Sequence, residues 1–310
     1  MEKHAKIYVA GGQTLIGAAI LRGLERQRYI SIIGRPREEP ILTDAAQVDA
    51  FFAQTAPDYV LLAAGKSGGI RANQKSPAEF IRHNLLVECH VIHSAYRYGV
   101  KKLLYLASSC SYPKHCPQPM RIESLLTGPL EPTNEAYAVA KIAGIKLCQA
   151  YRQQYGANFI SGIPANVFGP GDDFSLENSH VIAALIRKMH EAKILGSECV
   201  EIWGTGTPRR EFIFADDLAD ACLFIMRAYN GPEPINIGSG VDLSIGELAA
   251  LIKQIVGYPG SLYFDASRPD GMPLKVLDSS QLRALGWRPR TPLRSALSAT
   301  YDWFLQTQQQ

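Results

Sequence analysis

The chain begins with a pattern that few folds can accommodate. Lys6-Ile-Tyr-Val-Ala10 is a short apolar run, Gly11-Gly12 comes directly after it, and Gly17 stands six residues beyond Gly11 at the head of a helical stretch over 18–28. In strand–turn–helix order, glycines let the backbone close tightly, and the helix N-terminus offers free N–H groups and a positive dipole end to an anion. The spacing here is Gly11-x-x-Thr14-x-x-Gly17, with threonine at the middle position.

The alternation of strand and helix then repeats. Residues 30–33 read as a second strand, 47–54 as a helix, and 58–64 as a third strand, uniformly apolar as a buried parallel strand must be. A helix over 84–98, a strand over 102–107, a long helix over 137–155 and a strand over 159–163 complete the series. Strands alternating with helices predict an α/β fold with a Rossmann-type, doubly wound parallel sheet.

After Pro164 the pattern changes to Pro-, Gly- and Asp-rich loops around one strong helix, 180–192. The stretch 212–217 and the helix after it return to the first unit, and 235–238 reads as a further strand. Helices are expected over 244–256, 279–285 and 300–308. The expected division is a Rossmann domain of residues 1–165 and about 211–236, with a smaller, discontinuous α/β domain of about 166–210 and 237–310.

Composition fits this size. With 310 residues, 46% hydrophobic and 20% charged, the chain has material for about two soluble domains. A net charge of +3 is too small for a protein built around nucleic acid or an anionic membrane. Six cysteines without a CxxC pair suggest neither a disulfide framework nor a zinc module, and His90 and His93 have no further ligand at metal spacing. No metal is expected. No run reaches the ~18 residues of a membrane span, and the N-terminus lacks a signal-peptide core, so a cytoplasmic protein is the expectation.

Two motifs carry chemistry. Gly34-Arg35-Pro36-Arg37 ends the second strand, where NAD enzymes favour an acid for the ribose 2′-hydroxyl and NADP enzymes an arginine for the 2′-phosphate. No acid comes before Glu38, which favours NADP, although Arg35 and Arg37 also fit a solvated loop. The more specific motif is Tyr137-x-x-x-Lys141, preceded by Ser108 at the end of the fourth strand. One helical turn puts both side chains toward one site, and an ammonium beside a phenol is expected to lower its pKa from about 10. Such a tyrosine can protonate a ketone oxygen as hydride reaches the carbon.

These elements resemble the extended short-chain dehydrogenase/reductase superfamily. Within it, the segments 108–114 (Ser-Ser-Cys-Ser-Tyr-Pro-Lys), 131–148, 178–182 (Asn-Ser-His-Val-Ile), 203–212 and 265–271 (Asp-Ala-Ser-Arg-Pro-Asp-Gly) resemble the GDP-L-fucose synthase family over essentially the whole chain. The chain departs from that family at Gln13, where an arginine is frequent, and at Thr14, where glycine is usual. The resemblance implies a bifunctional NADPH-dependent enzyme that inverts C3 and C5 of a GDP-4-keto-6-deoxy sugar and then reduces C4 in the same site. Related GDP-4-keto sugars, such as a 6-deoxy-heptose, single-step enzymes and a dinucleotide-sensing protein are the alternatives.

Hydrogens at C3 and C5 are acidic because the C4 ketone takes up the charge as an enolate, and inversion needs a base on one face and an acid on the other. Cys110 and His180 match the family's epimerisation pair. Cysteine and histidine titrate near about 8.5 and 6.5, within reach of neutrality. Were residues 108–110 extended, Ser108 and Cys110 would share a face beside the tyrosine. The resemblance further implies that Gly11, Gly12, Gln13, Thr14, Leu15, Ile16 and Gly17 hold the cofactor with Arg35 and Arg37. Leu106, Ala107, Ser109, Lys141, Pro164, Ala165, Asn166, Val167 and His180 would border its nicotinamide end. Lys188, Trp203, Arg210 and Asp270, with Asn166 and Lys275, would take the GDP-sugar, placing it in the smaller domain. A homodimer is implied as well. Gly65-Lys-Ser-Gly-Gly69 is expected to be a loop at the cofactor crevice, and Cys89, Cys116, Cys148, Cys199 and Cys222 to be packing residues.

Overall fold

The computed structural model describes residues 1–175, 179–268 and 270–308; the motif residues Asn178 and Pro269 lie outside the described residues. The first half runs β1 (Lys6–Ala10), α1 (Leu15–Arg26), β2 (Ser31–Ile33), α2 (Ala45–Thr55), β3 (Tyr59–Leu62), α3 (Ile70–Lys75), α4 (Pro77–Arg97), β4 (Lys102–Leu106), α5 (Glu135–Tyr155) and β5 (Phe159–Pro164). The second half runs β6 (Asn166–Phe168), α6 (Val181–Leu195), β7 (Cys199–Trp203), β8 (Arg209–Phe214), α7 (Ala215–Ala228), β9 (Ile235–Ile237) and β10 (Asp242–Ser244). It ends with α8 (Ile245–Val256), β11 (Ser261–Asp265), β12 (Leu274–Lys275), α9 (Ser280–Ala284) and α10 (Leu293–Thr307).

Six strands form one sheet in the order β2-β1-β3-β4-β5-β9, every pair parallel. The strand order reverses direction between β1 and β3, which opens a crevice at their carboxyl ends, the usual ligand position in such sheets. β3, β4 and β5 are buried at every residue, so their apolar runs face helices on both sides. Each buried Val or Leu of β3 contributes about 1.5–3 kcal/mol. Arg22 and Arg26 pair with Asp216 at 2.6 and 2.7 Å, tying α1 to the start of α7. At the other end of α7, the buried Lys102 donates to the carbonyls of Ile225, Met226 and Tyr229 at 3.2, 2.9 and 2.6 Å. It thereby supplies donors to carbonyls that a helix end leaves free.

A second core, separate from that around the sheet, gathers Phe168, Ile182, Ile186, Met189, Phe212, Leu248, Ile252, Leu297 and Phe304. Its strands are short: β8 lies between β10 and β12 and also pairs with β6, while β11 pairs with β7. Ser244 and Glu247 form a reciprocal capping box that starts α8, and Gly257 in the left-handed region ends it.

The helices extend beyond their expected bounds where capping residues decide. α1 begins at Leu15, because the Thr14 hydroxyl accepts from Gly17 N at 3.0 Å and caps the helix. α4 starts at Pro77, a residue well suited to a first helical position, two turns ahead of the expected residue 84. α10 starts at Leu293, also two turns ahead of its expected start at 300. Residues 70–75 form a helix, and β6, β7, β10, β11 and β12 are strands that the apolar pattern does not single out. Two cysteines expected to pack, Cys89 and Cys199, are exposed: one lies on the outer face of α4, the other on the solvent side of β7.

Candidate active site

The crevice at the carboxyl ends of the central strands is a cleft of roughly 520 Å³. One wall is the glycine turn. Gly11 has φ +88°, and a Cβ on Gly17 would come within 2.0 Å of the Gly11 carbonyl oxygen, so the turn closes only with glycine there. Gln13, Thr14, Leu15 and Ile16 line the cleft above it, and the loop 65–68 after β3 lines it as well. Leu106, Ala107 and Ser109 contribute from the end of β4, and Pro164, Ala165, Asn166 and Val167 from the end of β5.

Ser108, Cys110, Tyr137, Lys141 and His180 meet in this cleft. Residues 109–111 form a 3-10 turn, not the extended segment expected, because the Ser108 hydroxyl accepts from Cys110 N at 3.2 Å and caps it. The tightened turn still brings the Cys110 thiol to the cleft. Asn134 Nδ2 donates to its sulfur at 3.2 Å, and Lys275 Nζ stands 3.5 Å away. His180 is the N-terminal cap residue of α6. Its ring is open to the cleft yet crowded by protein, and burial pulls its pKa below the usual histidine range; Asp173 opposes the shift and Lys275 reinforces it.

The expected lowering of the Tyr137 pKa is corrected by the structure. Burial raises the phenol well above its ordinary value and the nearby Cys110 adds to this, while a hydrogen bond with Ser108 works against it. The lysine's charge is spent elsewhere: Lys141 Nζ pairs at 3.1 Å with Glu88, a carboxylate only 1% exposed. Glu88 Oε1 also accepts from the Tyr105 hydroxyl at 2.7 Å. Breaking a buried pair of this kind costs about 3–5 kcal/mol, yet making one adds little net stability over a well-packed apolar pair. Such a pair points to a fixed position for Lys141 more than to stability. Tyr137 is therefore held as the phenol, the form that gives a proton.

The groups expected to take a nucleotide lie in two sets. Trp203, 40% exposed, is faced by Lys188 Nζ at 5.9 Å from its ring centre, and by two arginines that sequence reasoning missed, Arg71 at 4.3 Å and Arg268 at 5.0 Å. Cations over an indole face are held by its negative quadrupole. Arg210 and Lys275 sit side by side on β8 and β12. Asp270 accepts from Thr205 N at 2.7 Å and from the Thr205 hydroxyl at 2.8 Å, so it shapes the loop after β7. After β2, Arg35 pairs with Glu25 at 3.1 Å and donates to the Ile32 carbonyl, while Arg37 is exposed. An acid does reach the glycine turn: Glu39 accepts from Gly11 N at 2.6 Å and from Tyr8 OH at 2.8 Å. No local pattern marks Glu39, since it acts 28 residues from its partner.

A glycine turn under a helix N-terminus, with Ser108, Tyr137 and Lys141 across the crevice, defines a nicotinamide-dinucleotide enzyme of the extended short-chain dehydrogenase/reductase class. The sequence profile of the NAD dependent epimerase/dehydratase family matches residues 7–238. The chain belongs to that family and, within it, to the GDP-L-fucose synthases. It is 55% identical to GDP-L-fucose synthase 1 of Arabidopsis thaliana over 98% of this chain and 94% of that one. Among solved structures it is similar to a GDP-6-OMe-4-keto-L-xylo-heptose reductase from C. jejuni, with 34% identity, TM-score 0.94 and 99% of each chain covered. It is also similar to a GDP-L-fucose synthetase from Naegleria fowleri bound to NADP, with 28% identity, TM-score 0.91, and coverage of 100% of this chain and 96% of that one. No helix among the described residues is long and apolar enough to cross a membrane.

Proposed function

We propose that the protein converts GDP-4-keto-6-deoxy-D-mannose to GDP-L-fucose, inverting C3 and C5 and then reducing C4 with NADPH. The observation that carries this reading is that two proton-exchanging groups, Cys110 and His180, share one cleft with Ser108, Tyr137 and Lys141. A reductase alone has no use for the first two.

The cleft fits the cofactor: the Gly11–Gly17 turn leaves room for a diphosphate against the α1 N-terminus, and Lys141 is fixed where a nicotinamide ribose would lie. Arg35 and Arg37 would face the 2′-phosphate, which supports NADPH over NADH. When bound, the cofactor supplies the hydride for C4. Cys110 takes the C3 or C5 proton, and His180 returns one from the opposite face. The Ser108 and Tyr137 hydroxyls stabilise the charge on O4 during this step. In reduction, Tyr137 gives its proton to O4. Residues 1–165 and about 211–236 would form the cofactor domain; about 166–210 and 237–310, with Lys188, Trp203, Arg210 and Lys275, would bind the GDP-sugar. We place the enzyme in the cytoplasm as a homodimer, a reading supported by the exposed Tyr96 and Tyr155, stacked at 4.3 Å on the outer surface of α4 and α5.

The test is incubation with GDP-4-keto-6-deoxy-mannose and NADPH in deuterated water. GDP-L-fucose carrying deuterium at C3 and C5 is expected. A 4-reduced sugar of unchanged C3 and C5 configuration would refute the epimerase half, as would undiminished deuterium uptake by Cys110→Ser. A lower KM for NADH than for NADPH would refute the role given to Arg35 and Arg37. The likeness to a heptose reductase favours one alternative, a GDP-4-keto-heptose, which the same incubation with that sugar distinguishes.

A further inference from the structure

Lys275 is 165 residues from Cys110 in sequence, yet the chain fixes the two together. The residues after Lys275 are held from both sides. On one side, Val276 N donates to Gln118 Oε1 at 3.0 Å and Met120 N to the Val276 carbonyl at 2.7 Å, joining β12 to the loop that comes after Cys110. On the other, Leu277 N donates at 2.8 Å to the buried Glu211 of β8, and Lys275 itself is in register with Arg210. The ammonium ends 3.5 Å from Sγ. Asn134 Nδ2 approaches the same sulfur at 3.2 Å, while its Oδ1 is buried without a partner. Two N–H donors on one sulfur suit a thiolate, which accepts hydrogen bonds far better than a thiol.

We propose that Lys275 is a positioning residue for Cys110: with Asn134 it holds the sulfur as a thiolate aimed at the sugar, so that the thiol need not lose its proton during the reaction. The inference rests on the reading of Cys110 as the group that takes the C–H proton. In the step, the thiolate takes the proton and becomes a thiol, and the C–H electron pair moves to O4 as the enolate. His180, neutral at rest because burial and Lys275 lower its pKa, passes a proton to the other face of the carbon: the N–H of one ring nitrogen goes to carbon while the other nitrogen takes a proton from solvent, so the imidazole ends neutral. Loss of the thiol proton to solvent restores the thiolate, and the ammonium of Lys275 favours that return. Tyr137 on α5 and His180 and Asp173 ahead of α6 line the same cleft as this sulfur, and Arg210 lies in register with Lys275; of these, only Asp173 carries a carboxyl group.

The test needs no sugar. The intact enzyme is alkylated with iodoacetamide across a pH series, and modification of the Cys110 peptide is followed by mass spectrometry. Lys275→Met should slow alkylation of Cys110 about tenfold near pH 7, a loss that disappears at alkaline pH where the thiol ionises unaided. Lys275→Arg should keep the wild-type profile, and Asn134→Ala should shift it in the same direction by about threefold. Alkylation of the exposed Cys199 should be the same in all variants, which controls for folding. A Cys110 profile unchanged in both Lys275→Met and Asn134→Ala overturns the proposal and leaves Lys275 a substrate contact only. Because no substrate is present, this result stands apart from the product analysis that tests the function.

Discussion

Gly144→Ala puts the geometry behind Lys141 to a strict test. Gly144 lies inside α5, where alanine is favoured over glycine by ~1 kcal/mol, so helix propensity alone predicts a more stable protein. The structure predicts the opposite. A Cβ at this position would stand 2.4 Å from Tyr105 Cζ and 2.5 Å from its hydroxyl oxygen. Tyr105 cannot give way, because its ring is 0% exposed and its hydroxyl is bonded to Glu88 and to the Lys141 carbonyl. Overpacking costs about 1–3 kcal/mol, and a buried carboxylate that loses its donor about as much again. Less the propensity gain, the net loss centres on about 3 kcal/mol, a fall in Tm of roughly 5 °C for a chain of this length. Thermal unfolding measures it, with NADPH turnover in parallel, since displacing Tyr105 releases Glu88 and hence Lys141. In a Tyr105→Leu background the same substitution should cost little, because the ring it strikes is gone. A Gly144→Ala protein as stable as wild type would refute the close-packing argument and the bracing of Lys141 with it.

Tyr137→Phe should lower NADPH oxidation about a hundredfold or more while leaving deuterium exchange at C3 and C5 measurable, because it removes the proton donor to O4 and spares Cys110 and His180. Loss of both activities together, in a folded variant, would show that one proton system serves both steps. Asp172→Asn should stabilise the protein increasingly as pH rises. The Asp172 carboxyl is buried with Oδ2 unpartnered, and burial pushes its pKa up to about 7. It stays protonated in the folded state while the unfolded chain ionises from about pH 4, so stability falls between these two values and levels off above. Asparagine mimics the protonated acid without that penalty. Tm measured across the window should diverge progressively from wild type from about pH 4 up to about 7, and parallel curves would contradict the assignment.

The central sheet is readable from the sequence because its signals are local: β1 and the glycine turn, the apolar run of β3, the Tyr137–Lys141 pair. The second core is less readable for a physical reason. β7 alternates exposed and buried residues over five positions, and β12 is two residues long, so neither offers an apolar run. Their pairings come from partners far along the chain. The candidate site residues show the same divide. Ser108, Tyr137 and His180 are legible in motifs, but Glu88 lies 53 residues from Lys141, and its glutamate in a helix looks like any surface acid. Arg71 gives no sign because its partner, Trp203, stands far along the chain at the end of β7. The Tyr137 pKa departs from expectation for the same reason: a spacing shows that a lysine is near, not that a buried acid already holds it.

The order β2-β1-β3-β4-β5-β9 has a consequence for synthesis. As the chain leaves the ribosome, β5 is complete at Pro164, but the strand that covers its open edge, β9, starts only at Ile235. Until then an apolar parallel strand offers a row of unpaired N–H and C=O groups to any neighbour. Translation must also deliver β6, α6, β7, β8 and α7 before β9, and α7 has to pack back against α1. Nascent chains arrested before residue 235 should therefore be a point of need for chaperones, whereas chains released after it carry their own protection.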